Sequence, residues 1–377
     1  MGWLVAQPIE RWISPSATDP SINRWDQPHY VVLDTNRPLQ GRLMVWLPGS
    51  FGRPDHYRYI VGEAAAIGLH AIGLTYPNSW TVAALCRNDV DSMCHEKVRR
   101  EIFDGIDRTY KVNVAPSNSI QNRLLKLLQY LHIHYPLEGW NAYYTPSDSI
   151  RWDRIVMGGH SQGGGHAAMV GRLHRVDRCL MFGWTDIWDG RLAPWQLAPR
   201  QTPPEAYFGF THHKDLATVR VFLWQAWQLP GSPVVVDTLL PPYNGSHQLL
   251  TSVTPSRIGA YHGSVAVDNA TPLDDQGRPL LAPVWRYMIG DSVVSSLPAV
   301  GGEPISMVVG TDYVRFFLPH GSRLRMEVLD FVGRHIYTLA DQYFAAGYHR
   351  IQYPALRHRP VIIRIIYDGK MLVQTAF

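Results

Sequence analysis

The sequence has no uninterrupted apolar run long enough to cross a bilayer, so we expect no transmembrane helix. Charge of one sign is also scarce, because the net charge is only +4 over 377 residues. A balance this close to neutral does not indicate a nucleic-acid partner. Residues 1–8 have no basic start, and their apolar stretch is too short for a signal peptide. From these absences we expect a globular protein with no membrane span, no signal peptide in this sequence and no nucleic-acid partner.

Cysteine is rare, with three in the chain. Cys86 and Cys94 lie close together in polar sequence, without histidines at metal-ligand spacing, which favours a local disulfide. The alternative is a pair of free thiols in a cytoplasmic enzyme. Cys179 begins an apolar run and is expected to be a buried core thiol. We predict no metal site, because His160 and His166 lack carboxylate or cysteine partners at ligand spacing.

Hydrophobic residues make up 46% of the chain, enough for a large core. The length exceeds one average domain and suits a catalytic domain at residues 1–294 with a small module at residues 303–377. Strand-like and helical stretches alternate from Tyr30 to Gly290, and this order predicts a parallel sheet with right-handed crossovers. The linker-like residues 295–302 separate the two parts. We therefore predict an α/β fold with a mostly parallel central sheet and a second, all-β domain.

The most informative stretch is Ile155–Leu173, in which an apolar run leads through Gly159-His160-Ser161-Gln162-Gly163 into a helical pattern. A strand, a sharp turn and a helix are the context that a nucleophile elbow needs. Glycines before and after Ser161 let the two backbones approach, and helix amides can stabilise a developing anion. A Gly-rich turn with a solvated serine is the alternative. The motif resembles that of the α/β-hydrolase family, whose nucleophile, acid and histidine follow in that order.

The resemblance assigns Ser161 as the nucleophile and implies an acid after the second strand beyond it. Asp215 fits this position, and Asp186, one strand earlier, is its rival. A helix cap is the other role open to Asp215. The histidine is expected beyond the last strand, where His262 fits. His247 is the competitor, but it begins the strand that should precede the catalytic loop. His212 and His213 flank the acid loop and are expected to be supporting or solvent-facing.

Two backbone amides are expected to stabilise the oxyanion in such a site. One belongs to the residue after the nucleophile, Gln162. The other is assigned to Ser50, in the Gly-containing loop after the strand Arg42–Leu47, with Phe51 as the alternative. Residues 187–205 lack a clear period but carry tryptophans and prolines. We interpret them as an excursion over the site, a lid or pocket wall, with a plain surface loop as the alternative.

The C-terminal module alternates as strands do over 313–318, 324–330 and 361–366, which predicts a small β-sandwich. Residues 325–339, 345–350 and 368–373 resemble the C-terminal sorting domains of the bacterial type IX secretion system. The resemblance implies a secreted or cell-surface bacterial protein and the secretion machinery as a partner. A lectin-like or purely structural appendage is the alternative.

These patterns predict a serine esterase that cleaves carboxylic esters with Ser161, His262 and Asp215, and with amides of Gln162 and Ser50. It needs no metal or organic cofactor, and its substrate is a small-molecule or polymeric ester. Lipase, thioesterase and peptidase activities share this machinery and remain open. A non-catalytic surface-binding protein on the same fold is the alternative from another class.

Overall fold

The computed structural model describes residues 7–291, 306–309, 313–318, 321–330, 334–345, 347–353, 361–367 and 370–376. The predicted linker at residues 295–302 lies outside these ranges, as do residues 331–333, 346 and 368–369 of the stretches that resemble sorting domains. The described residues form a large sheet with a small hairpin, followed in the chain by two smaller C-terminal sheets.

The larger sheet has nine strands in the order β1-β2-β4-β3-β5-β6-β9-β11-β10. The β1–β2 and β2–β4 pairs are antiparallel, and all the other pairs in this sheet are parallel. Two short strands, β7 and β8, form a separate hairpin. The bounds are β1 (Ile9–Ile13), β2 (His29–Leu33), β3 (Leu43–Leu47), β4 (His70–Gly73), β5 (Ile155–His160), β6 (Arg178–Phe182), β7 (Ile187–Trp188), β8 (Arg191–Leu192), β9 (Tyr207–His212), β10 (Val234–Val235) and β11 (Gln248–Thr251).

Helices cover both faces of this sheet. Alternation along β3 shows the two faces, because Val45 packs in one buried cluster and Met44 and Trp46 pack in another. The first cluster includes α4, α5 and α6, and the second includes α2 and α8. The helices are α1 (Pro15–Thr18), α2 (Arg58–Ala66), α3 (Val82–Cys86), α4 (Cys94–Asp104), α5 (Ile120–His134), α6 (Gln162–Leu173), α7 (Ala217–Ala226) and α8 (Ala282–Ile289). A mostly parallel sheet between helix layers fits the predicted α/β-hydrolase fold.

Local sequence explains where the longest helix begins. The Ser119 side chain accepts a hydrogen bond from the Asn122 amide at 3.2 Å, which caps the first turn of α5. Leu124, Leu127 and Leu131 then recur at helical spacing and are fully buried against the sheet. Within the described ranges, no helix has the length and apolar character needed to cross a membrane.

The C-terminal strands form two antiparallel sheets, β12-β13-β16 and β15-β14-β17-β18. Their apolar side chains share one cluster, in which Phe316 packs with Met326 and Ile363. Among the described residues, none that precedes Val314 joins this cluster. The strands are β12 (Ser306–Val309), β13 (Tyr313–Leu318), β14 (Ser322–Leu329), β15 (His335–Phe344), β16 (Gly347–Gln352), β17 (Val361–Tyr367) and β18 (Lys370–Ala376).

Candidate active site

Ser161 lies at the turn between β5 and α6 with φ 54° and ψ −120°. This positive-φ conformation is strained for a residue with a side chain and persists only where its surroundings enforce it. A Cβ on Gly159 would lie 2.4 Å from the Gly163 backbone, and one on Gly163 would lie 2.0 Å from the Leu47 carbonyl oxygen. Only glycine fits at either position, and the close approach of strand, turn and helix holds Ser161 in place.

Asp215 and His262 are brought together by the parallel pairing of β9 and β11, which they follow in the chain. The two side chains meet with His262 Nδ1 donating to Asp215 Oδ2 over 2.7 Å. A neutral imidazole protonated at Nδ1 keeps Nε2 as an acceptor. Ser161 and His262 line the same cavity, but Ser161 Oγ forms no hydrogen bond with the described residues. Such a contact often closes only when substrate is bound.

The Asp215 carboxylate is held from a second side by Arg220 of α7, whose Nη1 lies 2.5 Å from Oδ2. Arg220 also donates to Thr211 Oγ1 over 2.5 Å and contacts the Asp215 carbonyl. Burial alone would raise the pKa of Asp215, but the hydrogen bond from His262 and the charge of Arg220 outweigh it and lower the pKa. The carboxylate that faces His262 is therefore ionised.

Asp186, the rival acid, has other partners. Arg99 of α4 donates to its carboxylate from Nε over 2.7 Å and from Nη2 over 2.6 Å. The indole nitrogens of Trp184 and Trp195 each donate over 3.0 Å. Burial would raise the pKa of Asp186, but the Arg99 charge lowers it far below its usual range. His262 is therefore paired with Asp215, whereas Asp186 forms a buried ion pair with Arg99.

The competing histidines lie elsewhere. His247 Nδ1 bonds to the Tyr207 carbonyl over 3.0 Å, at the beginning of β9, whereas Asp215 follows the end of that strand. Its ring stacks on Phe208 at 3.7 Å between centroids. His212 and His213 stack on one another at 4.7 Å beside the acid loop. Within the described residues, no group of three or more His, Cys, Asp or Glu side chains could hold a metal ion.

The amides assigned to the oxyanion hole are those of Ser50 and Gln162. Among the described residues neither amide donates a hydrogen bond within the protein, whereas the Phe51 amide donates to the Asn78 carbonyl over 2.9 Å. This difference favours Ser50 over Phe51 as the second donor. The two residues are also joined directly, because Ser50 Oγ donates to Gln162 Oε1 over 3.0 Å. Gln162 Oε1 accepts from the Val82 amide as well, also over 3.0 Å.

One cavity of about 880 Å³ is lined by Ser161, His262 and the two residues assigned to the oxyanion hole. Residues 187–190 of the β7–β8 hairpin form part of its wall, so the first part of the predicted excursion faces the site. Residues 87–90, between α3 and α4, form an adjoining part. The two segments are joined where Trp188 Nε1 donates to the Asp89 carbonyl over 2.8 Å.

The cysteines are arranged as predicted. Cys86 at the end of α3 and Cys94 at the start of α4 form a disulfide, and Cys179 is a buried free thiol in β6. Each bonded cysteine lies at a helix terminus. The disulfide therefore closes the loop of residues 87–93, which contributes to the cavity wall.

Two arginines of the site were not found from the sequence. Arg220 lies five positions after Asp215 in the helix that follows, and this short spacing was the available signal. Arg99 lies far from Asp186 in the sequence, and no local pattern links them. Besides binding Asp186, Arg99 Nη1 donates to the Gln162 carbonyl over 3.0 Å, so it holds the first turn of α6.

Comparisons with known proteins give only distant likenesses. No protein-family model matches the chain, and no curated protein matches it. A provisionally assigned dienelactone hydrolase from Klebsiella pneumoniae subsp. pneumoniae MGH 78578 is 12% identical with a TM-score of 0.36, over 72% of this chain and 94% of that chain. A bacterial heroin esterase is 13% identical with a TM-score of 0.27, over 67% of this chain and 76% of that chain. With identities and TM-scores this low, neither likeness assigns a family or an activity to this chain.

Proposed function

We propose that the protein is a serine hydrolase that cleaves carboxylic esters through an acyl-enzyme on Ser161. One observation carries this proposal: a serine in a strained strand-to-helix turn shares a cavity with a histidine whose Nδ1 is bonded to the partly buried Asp215 carboxylate. A serine hydroxyl is a poor nucleophile unless a base accepts its proton, and the base needs an acid to fix its tautomer. His262 and Asp215 supply these two groups.

In the first half-reaction, Ser161 Oγ attacks the ester carbonyl carbon while its proton passes to His262 Nε2. The carbonyl oxygen becomes an oxyanion that the amides of Gln162 and Ser50 stabilise. The bond to the alcohol oxygen then breaks, and the proton on Nε2 goes to the departing alkoxide. Asp215 keeps its charge throughout and stabilises the imidazolium that forms between these steps.

In the second half-reaction, water attacks the acyl-enzyme as His262 Nε2 takes its proton. Collapse of the second tetrahedral intermediate breaks the bond to Ser161 Oγ, which recovers its proton, and the carboxylic acid leaves. The cavity of about 880 Å³ lies within the usual range for small-molecule sites. It suits an ester of moderate size, and every step uses groups of this chain and water alone.

The proposal is tested by turnover of a short-acyl p-nitrophenyl ester by wild type and by Ser161→Ala. Triad members act as a unit, so Ser161→Ala is expected to lower kcat by about 10³-fold or more. Ser147→Ala, an exposed serine in a loop outside the cavity, is the matched control and keeps wild-type turnover. A folded Ser161→Ala protein that still turns over the ester at the wild-type rate contradicts the assignment.

We further propose that residues 303–377 form a β-sandwich that directs export through a type IX secretion system to the cell surface or medium. The support is the resemblance of its sequence to sorting domains, together with two antiparallel sheets that share an apolar cluster. Fusing these residues to a periplasmic reporter in a bacterium with this system tests the proposal. Export of the reporter is the expected result, and retention in the periplasm contradicts it.

A further inference from the structure

His160 is a buried histidine beside the nucleophile that the steps above do not use. Its side chain is 4% exposed. Both ring nitrogens have partners: Nδ1 lies 3.1 Å from the Tyr57 hydroxyl, and Nε2 lies 2.8 Å from the carbonyl oxygen of His262. The His160 and His262 rings also contact one another, with 4.6 Å between their centroids. Buried polar atoms normally need hydrogen-bond partners, and here one of the two partners is the backbone of the proposed base.

The chemistry of the partners fixes the direction of these bonds. A carbonyl oxygen can only accept, so His160 Nε2 carries the proton and Nδ1 accepts from the Tyr57 hydroxyl. The Tyr57 oxygen in turn accepts from the Gly49 amide over 3.0 Å. Burial and the neighbouring His262 lower the pKa of His160 to about 3, so it stays neutral at neutral pH. The result is a directed chain from the Gly49 amide through Tyr57 and His160 to the His262 carbonyl.

This chain joins three parts of the site that are far apart in sequence. Gly49 precedes Ser50, the proposed oxyanion donor, and His160 precedes Ser161. The far end of the chain is the backbone of His262 itself. The loop after His262 has a second attachment nearby, because the Asp268 carboxylate accepts from the Arg58 amide over 2.8 Å at the start of α2. The loop that carries the base is thus tied to the two segments that carry the other reacting groups.

We propose that His160 is a positioning residue that holds the His262 backbone in register with the oxyanion loop by way of Tyr57. This role rests on the proposed serine hydrolase function. Displacing a reacting group by about 1 Å can cost about 100-fold in rate, so a fixed distance between base and oxyanion donors has direct kinetic value. Loss of the relay therefore lowers kcat more than it changes KM.

Substitutions at His160 separate the two halves of the relay. Leucine removes both hydrogen bonds, whereas the amide of glutamine reaches about as far as Nε2 and can still donate to the His262 carbonyl. Asparagine reaches only as far as Nδ1 and keeps the contact to Tyr57. We expect His160→Leu to lower kcat by about 100-fold with KM within about threefold of wild type. The kcat of His160→Gln is expected to be about tenfold higher than that of His160→Leu. The kcat of His160→Asn is expected to rise less, because the bond to His262 is the one that positions the base.

The chain offers a matched control in His70, which is 2% exposed. Its Nδ1 lies 2.6 Å from the Tyr143 hydroxyl and its Nε2 lies 2.7 Å from the Glu138 carbonyl, so it has the same kinds of partner as His160. His70 is the first residue of β4, whereas Ser161 follows the last residue of the parallel strand β5, so the two lie at opposite ends of the parallel strands. His70→Leu is expected to lower stability but to leave kcat within about twofold of wild type.

The experiment measures kcat and KM for a short-acyl ester and urea unfolding for all these variants and for Tyr57→Phe, which breaks the relay at its centre. Wild-type kcat in His160→Leu, or an equal loss of kcat in His70→Leu, overturns the positioning role. If His160→Leu does not fold, the ranking of the His160→Gln, His160→Asn and Tyr57→Phe variants by kcat decides the question. Equal kcat values in these three variants would overturn the role.

A second readout does not depend on hydrolysis. The ring ¹⁵N resonances of His262 report its hydrogen bonding and surroundings directly. They are expected to shift in His160→Leu and to stay unchanged in His70→Leu. If wild type does not hydrolyse esters, the proposed function is wrong, and these resonances still test the relay. Unchanged His262 resonances in His160→Leu contradict it.

Discussion

The two aspartates Asp186 and Asp215 have the same chemistry but different partners. Asp186 accepts four hydrogen bonds from Arg99, Trp184 and Trp195, which leaves its carboxylate little capacity for a further donor. Asp215 faces His262 at 2.7 Å. At the residue scale, the pairing partner distinguishes a structural carboxylate from one that can orient a base.

This difference predicts that the same Asp-to-Asn change lowers kcat much more at position 215 than at position 186. Asp215→Asn stabilises the wrong imidazole tautomer and is expected to lower kcat by about 10³-fold or more. It also leaves the buried Arg220 without its carboxylate partner, so a loss of stability is expected as well. Asp186→Asn leaves Arg99 buried without a counter-ion and is expected to lower the free energy of unfolding by about 3–5 kcal/mol. Its kcat, measured below its unfolding temperature, stays within about tenfold of wild type. Steady-state kinetics and urea unfolding check both, and a reversed ranking of kcat would make Asp186 the acid.

How far the sequence predicted the site depends on the kind of signal. Ser161 has a local motif, and the resemblance to α/β-hydrolases then located Asp215 and His262 by the order of the strands after it. The pairing of Arg99 with Asp186 joins residues from distant elements, and no spacing in the sequence encodes it. The same holds for Tyr57 and His160, whose contact depends on how α2 packs on the sheet.

At the element scale, strands with apolar runs were predicted from the sequence, whereas the charged strand β1 was not. β5 (Ile155–His160) is buried throughout, and its apolar run predicted a strand from the sequence. β1 (Ile9–Ile13) mixes charged and apolar residues because it is an edge strand, and it was missed. β10 lies at the other edge of the sheet and has only two residues, Val234 and Val235.

The loop of residues 87–93 and the β7–β8 hairpin form adjoining parts of the cavity wall, and the disulfide closes the loop. Replacing Cys86 and Cys94 together with serine is expected to lower the free energy of unfolding by about 2–3 kcal/mol. The loosened wall raises KM several-fold, while kcat changes little because the triad lies on other elements. Cys179→Ala, which leaves the disulfide intact, is the control for KM, and a double variant with unchanged KM contradicts this role of the loop.

At the scale of the whole molecule, the apolar clusters of the large sheet and of the C-terminal strands contain different stretches of the chain. The clusters on the two faces of the large sheet contain described residues only up to Ile289, and the C-terminal cluster begins at Val314. A chain that ends at Asp291 is therefore expected to fold and to keep kcat within about twofold of the full-length protein. Side-by-side kcat and melting temperatures test this, and a folded but inactive shorter chain would make the C-terminal part necessary for catalysis.

Buried histidines make the folded protein sensitive to acid. Burial lowers the pKa of His29 and His166 well below the ordinary value of 6.5, so the folded state excludes protons that the unfolded state accepts. Stability is therefore full above pH 6.5 and is lost as the pH falls below it, by about 1.4 kcal/mol per pH unit for each such histidine.

The histidine dependence is measured by urea unfolding between about pH 7 and about pH 5. Neither ring nitrogen of His166 has a hydrogen-bond partner among the described residues. His166→Phe, which cannot take up a proton, is thus expected to reduce the slope by about one proton. An equal slope in wild type and His166→Phe would show that His166 does not contribute.

The central claim, that Ser161 is an activated nucleophile, is tested most directly by reaction with a fluorophosphonate followed by peptide mass spectrometry. The account predicts a single phosphonyl adduct on the peptide that contains Ser161, formed quickly by wild type. It predicts no adduct in Ser161→Ala and much slower labelling in Asp215→Asn. An unlabelled wild-type protein that is folded, or an adduct on another residue that persists in Ser161→Ala, would contradict it.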